Sequence, residues 1–411
     1  MKCLIEQIMA REILNAKGRP TVEVELTTSE GIVAVASSPT GTSRGSYEAF
    51  ELYDREERYG GYGVRNAVRN VNTEILAALR GKSVLDQQAV DRTMIELDGT
   101  YNKKRLGANA ILAVSVAAAK AAAASQGLPV YRYLGRGRKK PGLPGMVATV
   151  IAGGSFSPSG LEFEDYMYVI EGFDTFLDTL EALSAMRSAL EKQLSKKYGD
   201  IPWDGGALAP PLKDSREAFD YMLDAARSVG CEKYVSLGLD VVGSELYAAD
   251  CRKYRLHGEL MTDDQLLEEY RALCGGYPLR YIEDGFEENA FDSFAKLKRA
   301  LPDIQIVGDD LFATNDDRLK TGIEKDCANG LLLKINQIGT VSEAIKTNDH
   351  ARDGGYDIIV SMRSGETADD FIADLAVAVG ARQVKLGSPV VLERNIKYNR
   401  LLRIERDLRG V

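Results

Sequence analysis

Six apolar runs in the second half of the chain each end in polar residues that could do chemistry. In order along the chain these are Asp240, Glu283, Asp309, Lys334, Arg363 with Ser364, and Lys385. Stretches with a helical period separate most of the runs, and strands that alternate with helices form parallel sheets. Six such units in a row favour a barrel, in which the carboxyl ends of all parallel strands open on one face. The pattern therefore predicts three carboxylates, two lysines, an arginine and a serine around one mouth.

The three carboxylates predict a metal site. Converging carboxylates repel one another unless a cation lies between them. Ligation by oxygen alone, without His or Cys, selects a hard ion such as Mg²⁺. Asp240, Glu283 and Asp309 are therefore the candidate ligands of Mg²⁺, which is the cofactor that the sequence predicts.

The cations predict the substrate and the reaction. Lys385 and Arg363 suit an anionic substrate, because a guanidinium can bind a phosphate through two hydrogen bonds. Lys334 is expected between these cations and the metal, and neighbouring positive charge would lower its pKa towards that of a useful base. A lysine base beside a metal is suited to removing a proton α to a carboxylate, because the metal stabilises the resulting enediolate.

Composition excludes several other classes of function. The net charge of −9 argues against a nucleic-acid partner. Only two histidines are present, His257 and His350, and both are predicted at the surface, so Ser-His-Asp catalysis and histidine-ligated zinc are disfavoured. The five cysteines form no CxxC pair, which fits a reducing cytoplasm. The Ala-rich run 107–127 is predicted to be a buried helix and not a membrane span.

The chain divides into three parts by pattern. Residues 1–134 begin with alternating strand patterns and continue with helical ones, which predicts an α+β domain. Residues 135–145 are basic and rich in Gly and Pro, and we interpret them as a linker. Residues 146–411 carry the strand–helix alternation of the α/β barrel.

Long segments of the chain resemble the enolase family in the family's own order. They include AREILNAKGRPTVEVEL, LDGTYNKKRLGANAILAVSVAAAKAAA, LGLDVVGSE, IEDGFEEN, VGDDLFATN, LLLKINQIGTVSEAI and RSGETADDFIADLAVA. The resemblance covers nearly the whole chain. It implies an N-terminal α+β capping domain, a modified (β/α)8 barrel with an irregular start, and a homodimer or larger homo-oligomer.

The resemblance also implies roles for residues. Asp240, Glu283 and Asp309 correspond to the ligands of the structural Mg²⁺, and Lys334 to the base that takes the C2 proton of 2-phosphoglycerate. Lys385 corresponds to the lysine that meets the substrate carboxylate, and Arg363 and Ser364 to the phosphate-binding pair. In the family, a serine of a mobile loop reaches a second Mg²⁺, and Thr40 could offer a hydroxyl in its place. Arg44 adds a charge to this loop that could touch a larger anion.

The part of the site that handles the leaving hydroxyl departs from the family. The family's Gln-Glu pair is Glu164-Asp165 here, and its Asp-Glu-Gly-Gly segment is replaced by residues 203–206, so that Asp204 takes the place of the catalytic glutamate. Two histidines are lost, one of them at Met362. An aspartate is shorter than a glutamate by about 1.5 Å, one bond length. We expect Asp165 and Asp204 to be catalytic and Glu164 to contact the substrate.

Three functions remain open from the sequence. The first is a repurposed enolase-type lyase acting on a phosphate- or phosphonate-bearing carboxylate, similar to a carboxyphosphonoenolpyruvate synthase, and this is the expectation that we carry forward. The second is an ordinary 2-phosphoglycerate hydro-lyase. The third is a non-catalytic homologue that uses its metal site for binding or assembly. In the first two, the partner is a small phosphorylated or phosphonate-bearing carboxylate.

Overall fold

The N-terminal region is an antiparallel sheet covered by helices. The computed structural model describes residues 3–41, 45–138, 142–155 and 157–410. The sheet has the order β1-β2-β3, with β1 (Ile5–Leu14), β2 (Pro20–Thr28) and β3 (Val33–Ser37). The helices that follow are α1 (Arg65–Asn70), α2 (Leu76–Leu79), α3 (Gln87–Asp98), α4 (Ala108–Ser125) and α5 (Val130–Leu134). A π-helical segment, Val71–Ile75, joins α1 to α2, and Arg58–Gly61 forms a short 3-10 turn.

The Ala-rich helix α4 is the core of this region. It packs against β2 and β3, because small side chains allow the helix to lie close to the sheet. By length and apolar composition α4 could cross a membrane, but 83% of it is buried inside the protein. The prediction of a buried helix in 107–127 is therefore confirmed.

The rest of the chain alternates between strands and helices. The strands are β4 (Gly145–Ala152), β5 (Asp165–Ile170), β6 (Trp203–Asp204), β7 (Ala207–Leu208), β8 (Val235–Asp240), β9 (Tyr247–Ala248), β10 (Lys253–Leu256), β11 (Glu259–Met261), β12 (Leu279–Glu283), β13 (Gln305–Gly308), β14 (Gly330–Leu333), β15 (Asp357–Ser361) and β16 (Gln383–Lys385). The helices are α6 (Phe176–Tyr198), α7 (Ser215–Ser228), α8 (Gly243–Leu246), α9 (Asp263–Gly276), α10 (Phe291–Ala300), α11 (Asp316–Glu324), α12 (Ile335–Ile338), α13 (Val341–Asp353), α14 (Phe371–Val379) and α15 (Leu392–Arg409). A 3-10 turn, Glu232–Tyr234, precedes β8.

Eight of these strands close into a barrel. They pair in the order β4-β5-β8-β12-β13-β14-β15-β16, and β16 pairs with β4 to complete the ring. Buried apolar side chains from six of the strands fill its centre, namely Val147, Met167, Val169, Tyr281, Val307, Leu332 and Ile359. The predicted architecture, an α+β region followed by a modified (β/α)8 barrel, is confirmed.

The irregular start of the barrel lies in β5. This strand runs antiparallel to both of its neighbours, β4 and β8, whereas the other barrel pairings are parallel. Its first residue, Asp165, therefore stands opposite the last residue of β8, Asp240. The reversed strand brings Asp165 to the same mouth as the carboxyl ends of the parallel strands.

The N-terminal region touches this mouth directly. Thr40 and Gly365 exchange backbone hydrogen bonds of 3.0 and 2.9 Å, and the amide of Ala16 donates to the carbonyl of Glu366 at 2.8 Å. A Cβ at Gly365 would lie 2.3 Å from the Thr40 hydroxyl, so the close approach requires glycine there. The division at residues 134 and 145 stays a prediction.

Candidate active site

Three charged groups meet at the ends of β8, β12 and β16. The ammonium of Lys385 donates to Asp240 Oδ2 at 2.7 Å and to Glu283 Oε1 at 2.8 Å. The two carboxylates lie side by side because Glu283 of β12 is the register partner of Asp240 on the parallel strand β8. The Tyr281 hydroxyl donates to the other oxygen of Glu283 at 2.6 Å. All four side chains are buried.

Burial and like charge make this a costly group of anions. Burial, reinforced by Asp240, raises the pKa of Glu283 well above its ordinary value. Burial opposes the charged form of Lys385, but Asp240 and Glu283 outweigh it and hold the pKa of Lys385 well above the usual range. The carboxylates therefore need positive charge close by.

The donor set fits a hard cation. Oδ1 of Asp240 is buried and has no hydrogen-bond partner, which leaves one carboxylate oxygen available as a ligand. Asp309 follows the end of β13 and lies at the same mouth. Three buried carboxylates with an unpaired oxygen match the all-oxygen ligation that Mg²⁺ prefers. Asp240, Glu283 and Asp309 are thus suited to hold the metal that the sequence predicts.

A second set of carboxylates lies next to the first. Oxygens of Asp284, Asp309 and Asp310 lie within 4.8 Å of one another. Asp284 accepts the backbone N–H groups of Asp309 and Asp310 at 3.0 and 2.6 Å, so its carboxylate caps the turn after β13. Burial and Asp309 raise the pKa of Asp310 to about 8. Sequence reasoning did not single out Asp284 or Asp310.

Lys334 lies one residue beyond β14 and forms an ion pair with Asp309. The other oxygen of Asp309 accepts from Gln337 at 2.7 Å. Burial and the nearby Arg363 and Lys385 favour neutral lysine, but Asp309 and Glu283 more than offset them, and the pKa of Lys334 is raised. The expected lowering of this pKa is therefore wrong for the arrangement seen here, because the contacting carboxylate dominates the more distant cations.

Arg363 follows β15 and is held by a residue from the N-terminal region. Its guanidinium donates to both oxygens of Glu48, at 2.9 and 3.1 Å, and to the Asn336 amide oxygen at 3.1 Å. Both members of the pair are buried, and Glu48 holds the pKa of Arg363 above its usual value against the effect of burial. A phosphate at this site would share the guanidinium with Glu48.

Two acids, Asp165 and Asp204, stand where the family has glutamates. Asp165 accepts from the Thr149 hydroxyl at 2.9 Å, and the ammonium of Lys385 lies 3.5 Å away. Burial raises the pKa of Asp165 and raises that of Glu164 well above the usual range. Asp204 lies on the edge strand β6 and is ion-paired with Lys17 at 3.2 Å.

One cavity joins most of these groups. It has a volume of about 140 Å³, and the predicted residues that line it are Glu164, Asp165, Asp204, Asp240, Lys334, Arg363, Ser364 and Lys385. Glu283 and Asp309 form ion pairs with two of these lining residues, Lys385 and Lys334. The Thr40 hydroxyl accepts from Asn15 at 2.7 Å, next to the segment that carries Ser364. Arg44 lies outside the described residues.

Comparisons with known proteins agree with this geometry. The protein-family models "Enolase, N-terminal domain" and "Enolase, C-terminal TIM barrel domain" match residues 5–134 and 141–410. The chain is 48% identical to a protein named Enolase from Methanopyrus kandleri, over 99% of this chain and 96% of that one. It is 46% identical to Enolases from Methanocaldococcus jannaschii and Pyrococcus furiosus, each over 98% of this chain and 95% of the other. The chain belongs to the enolase family.

Membership of the enolase family bears on three of the expectations. Enolases are hydro-lyases, and the chain is an enolase-type carbon–oxygen lyase. The relatives favour the ordinary hydro-lyase over a substrate from phosphonate metabolism. Magnesium dependence is a property of the family, and the carboxylate cluster is consistent with it.

Several residues at the enolase site escaped sequence reasoning. Glu48 and Lys17 come from the N-terminal region, and Arg394 comes from α15. None of them directly follows a barrel strand, so the pattern of polar residues at the ends of apolar runs did not identify them. The two histidines lie outside the cavity, each beside a carboxylate, which agrees with the surface positions predicted for them.

Proposed function

We propose that this chain catalyses the Mg²⁺-dependent dehydration of 2-phosphoglycerate to phosphoenolpyruvate. The observation that carries the proposal is a single cavity with Lys334 and Lys385 on its wall and the predicted metal ligands around it. Identity of 43–48% to proteins named Enolase, over nearly the full length, supports the same reaction.

In this proposal Lys334 removes the proton from C2 of the substrate. The contact with Asp309 raises the pKa of Lys334, and a cation bound to that carboxylate would offset the effect and leave the amine neutral. The neutral amine then takes the proton, the C2–H electron pair moves towards the carboxylate, and Lys385 offers its ammonium to that carboxylate. Mg²⁺ held by Asp240, Glu283 and Asp309 would supply positive charge that neutralises the three ligands and stabilises negative charge on the substrate carboxylate. Arg363 and Ser364 bind the phosphate. Glu164 and Thr40 lie at the border of the same space.

The second half of the reaction expels the C3 hydroxyl. The C3–O bond breaks as the C2–C3 double bond forms, and the departing oxygen takes a proton from the carboxyl group of Asp204 or Asp165 and leaves as water. We assign this half to Asp204 and Asp165, which stand where the family has glutamates. Each carboxylate is about 1.5 Å shorter in reach, and a misplacement of about 1 Å can cost about a hundredfold in rate. A bridging water or a shift of β6 would restore the contact.

The test combines turnover with isotope exchange. Purified protein with Mg²⁺ and 2-phosphoglycerate is assayed for phosphoenolpyruvate, and solvent deuterium entering C2 is followed separately. Lys334→Ala should abolish both signals. Lys325→Ala, an exposed lysine paired with Asp292, is the matched control and should keep both. Exchange that survives Lys334→Ala would refute the assignment of the base.

The wild-type result also separates the two candidate substrates. Robust turnover means that the aspartates suffice for dehydration. Exchange at C2 without turnover means that the proton-removing half works and that the other half serves a different phosphate- or phosphonate-bearing carboxylate.

We further propose the organisation that enolases suggest. This is a homodimer or larger homo-oligomer in the cytoplasm, built from domains 1–134 and 146–411 joined by the linker 135–145. Sedimentation velocity of the purified protein tests the assembly state, and a monomer at micromolar concentration would contradict it.

A further inference from the structure

A second buried guanidinium lies on the cavity wall beside Arg363. Arg394, in the first turn of α15, is only 2% exposed and lines the cavity. Two glycines lie against it: an added Cβ would stand 3.7 Å from Nη2 at Gly205 and 3.6 Å from Nε at Gly387. The guanidinium therefore packs against the backbone of these two glycines, and all three residues line the cavity.

The hydrogen bonds of Arg394 leave much of its donor capacity unused. Nη1 donates to the backbone carbonyl of Arg363 at 2.6 Å and contacts the sulfur of Met362. Nε is buried and has no hydrogen-bond partner. An arginine carries five N–H donors, so a single strong acceptor leaves most of them unsatisfied.

Arg394 differs in this respect from the other buried cations. Within the described part of the chain, five other buried lysines and arginines each form an ion pair with a carboxylate at 2.7–3.0 Å, namely Lys103, Arg187, Arg363, Lys385 and Lys397. No described carboxylate forms an ion pair with Arg394. Glu366 and Glu393 act on it only at longer range, and burial lowers its pKa.

A buried cation without a counter-ion is costly in free energy, because burial removes its hydration and no opposite charge replaces it. An anion that binds beside such a group offsets this cost. The neighbouring Arg363 already carries Glu48 on both arms of its guanidinium, so its charge is largely neutralised before any substrate arrives. The uncompensated positive charge on this wall therefore belongs to Arg394.

We propose that Arg394 is a binding residue for the phosphate group of the substrate, acting with Arg363 and Ser364. This inference rests on the proposed function for the identity of the substrate. The property that it concerns is the affinity of this cavity wall for a phosphate anion. Because Arg394 also donates to the Arg363 carbonyl, a phosphate bound there would be held by two guanidiniums on adjacent segments.

The experiment measures binding of inorganic phosphate by calorimetry to wild type, Arg394→Gln and Arg394→Lys. Glutamine keeps a donor for the Arg363 carbonyl and removes the charge, whereas lysine keeps the charge. Loss of a charged hydrogen bond predicts phosphate binding about 10- to 100-fold weaker in Arg394→Gln, with Arg394→Lys intermediate. Arg400→Gln, on the same helix and paired with Asp374 at 2.6 Å, is the control and should bind as wild type does.

Two results would overturn the inference. One is wild-type affinity for phosphate in Arg394→Gln. The other is a loss in Arg394→Lys as large as in Arg394→Gln, which would mean that the residue only positions Arg363. If the glutamine variant does not fold, the Nε–H resonance of Arg394 in the wild type decides the question, because direct binding requires it to shift as phosphate is added.

The inference and the proposed function can be refuted independently of each other. A wild type that does not dehydrate 2-phosphoglycerate but binds phosphate through Arg394 would refute the function alone. A wild type that turns over 2-phosphoglycerate while Arg394→Gln leaves both phosphate affinity and KM unchanged would refute the inference alone.

Discussion

The ion pair between Lys397 and Glu366 lies directly behind the site and offers a sharp test of its packing. Lys397 is on α15, and its ammonium lies 2.9 Å from Glu366 and donates to the Thr367 carbonyl at 2.6 Å. The other oxygen of Glu366 accepts the backbone N–H of Arg363 at 3.0 Å. The pair therefore fixes the segment that carries the phosphate-binding residues.

Lys397→Met should destabilise the protein strongly. The side chains of Lys397 and Glu366 are 0% and 3% exposed, so the substitution leaves a buried carboxylate without its counter-ion. Breaking a buried pair in this way typically costs about 3–5 kcal/mol. Adding Glu366→Gln removes the stranded charge, and the double variant should recover a large part of the loss.

The assay is urea unfolding followed by circular dichroism, with Lys197→Met as the matched control. Lys197 pairs with Glu217 at 2.8 Å, but these side chains are 53% and 38% exposed, and solvent screens such pairs. The control should leave the unfolding midpoint unchanged. If Lys397→Met shifts the midpoint no more than Lys197→Met does, the argument from burial is refuted.

Three further predictions concern the site and pH. Asp204→Asn should slow dehydration about 100-fold or more while deuterium exchange at C2 continues; parallel loss of both signals would remove Asp204 from the second half of the reaction. Mg²⁺ should raise the melting temperature of the wild type, EDTA should reverse this, and Glu283→Gln should respond to neither if it is a ligand. Burial works against ionised Asp316, but the ion pairs with Lys320 and Lys346 prevail and lower its pKa to about 2. Its stabilisation is then fully present above pH 4 and lost as the pH falls through 2. Asp316→Asn should therefore cost about 1 kcal/mol at pH 7, after allowance for solvent screening, and almost nothing below pH 2. Equal costs at both pH values would contradict this.

Much of the barrel follows from local pattern. The apolar runs before Asp240, Glu283 and Lys385 are strands that end at these residues, and Lys334 comes one residue after its strand. Continuous apolar runs between helical stretches can be satisfied only by strands buried on both faces. The shared mouth then follows, because parallel strands all point the same way.

Tertiary structure alone decided the partners of these groups. Glu48 reaches Arg363 across 315 positions of sequence, and the reversed strand β5 sets Asp165 opposite Asp240. No periodicity encodes a contact between segments so far apart. Even the direction of the Lys334 pKa depended on the tertiary structure: the sequence named the neighbouring charges, but only the direct contact with Asp309 showed which of them prevails. Electrostatic energy falls with distance and rises with burial, and both are properties of the folded chain.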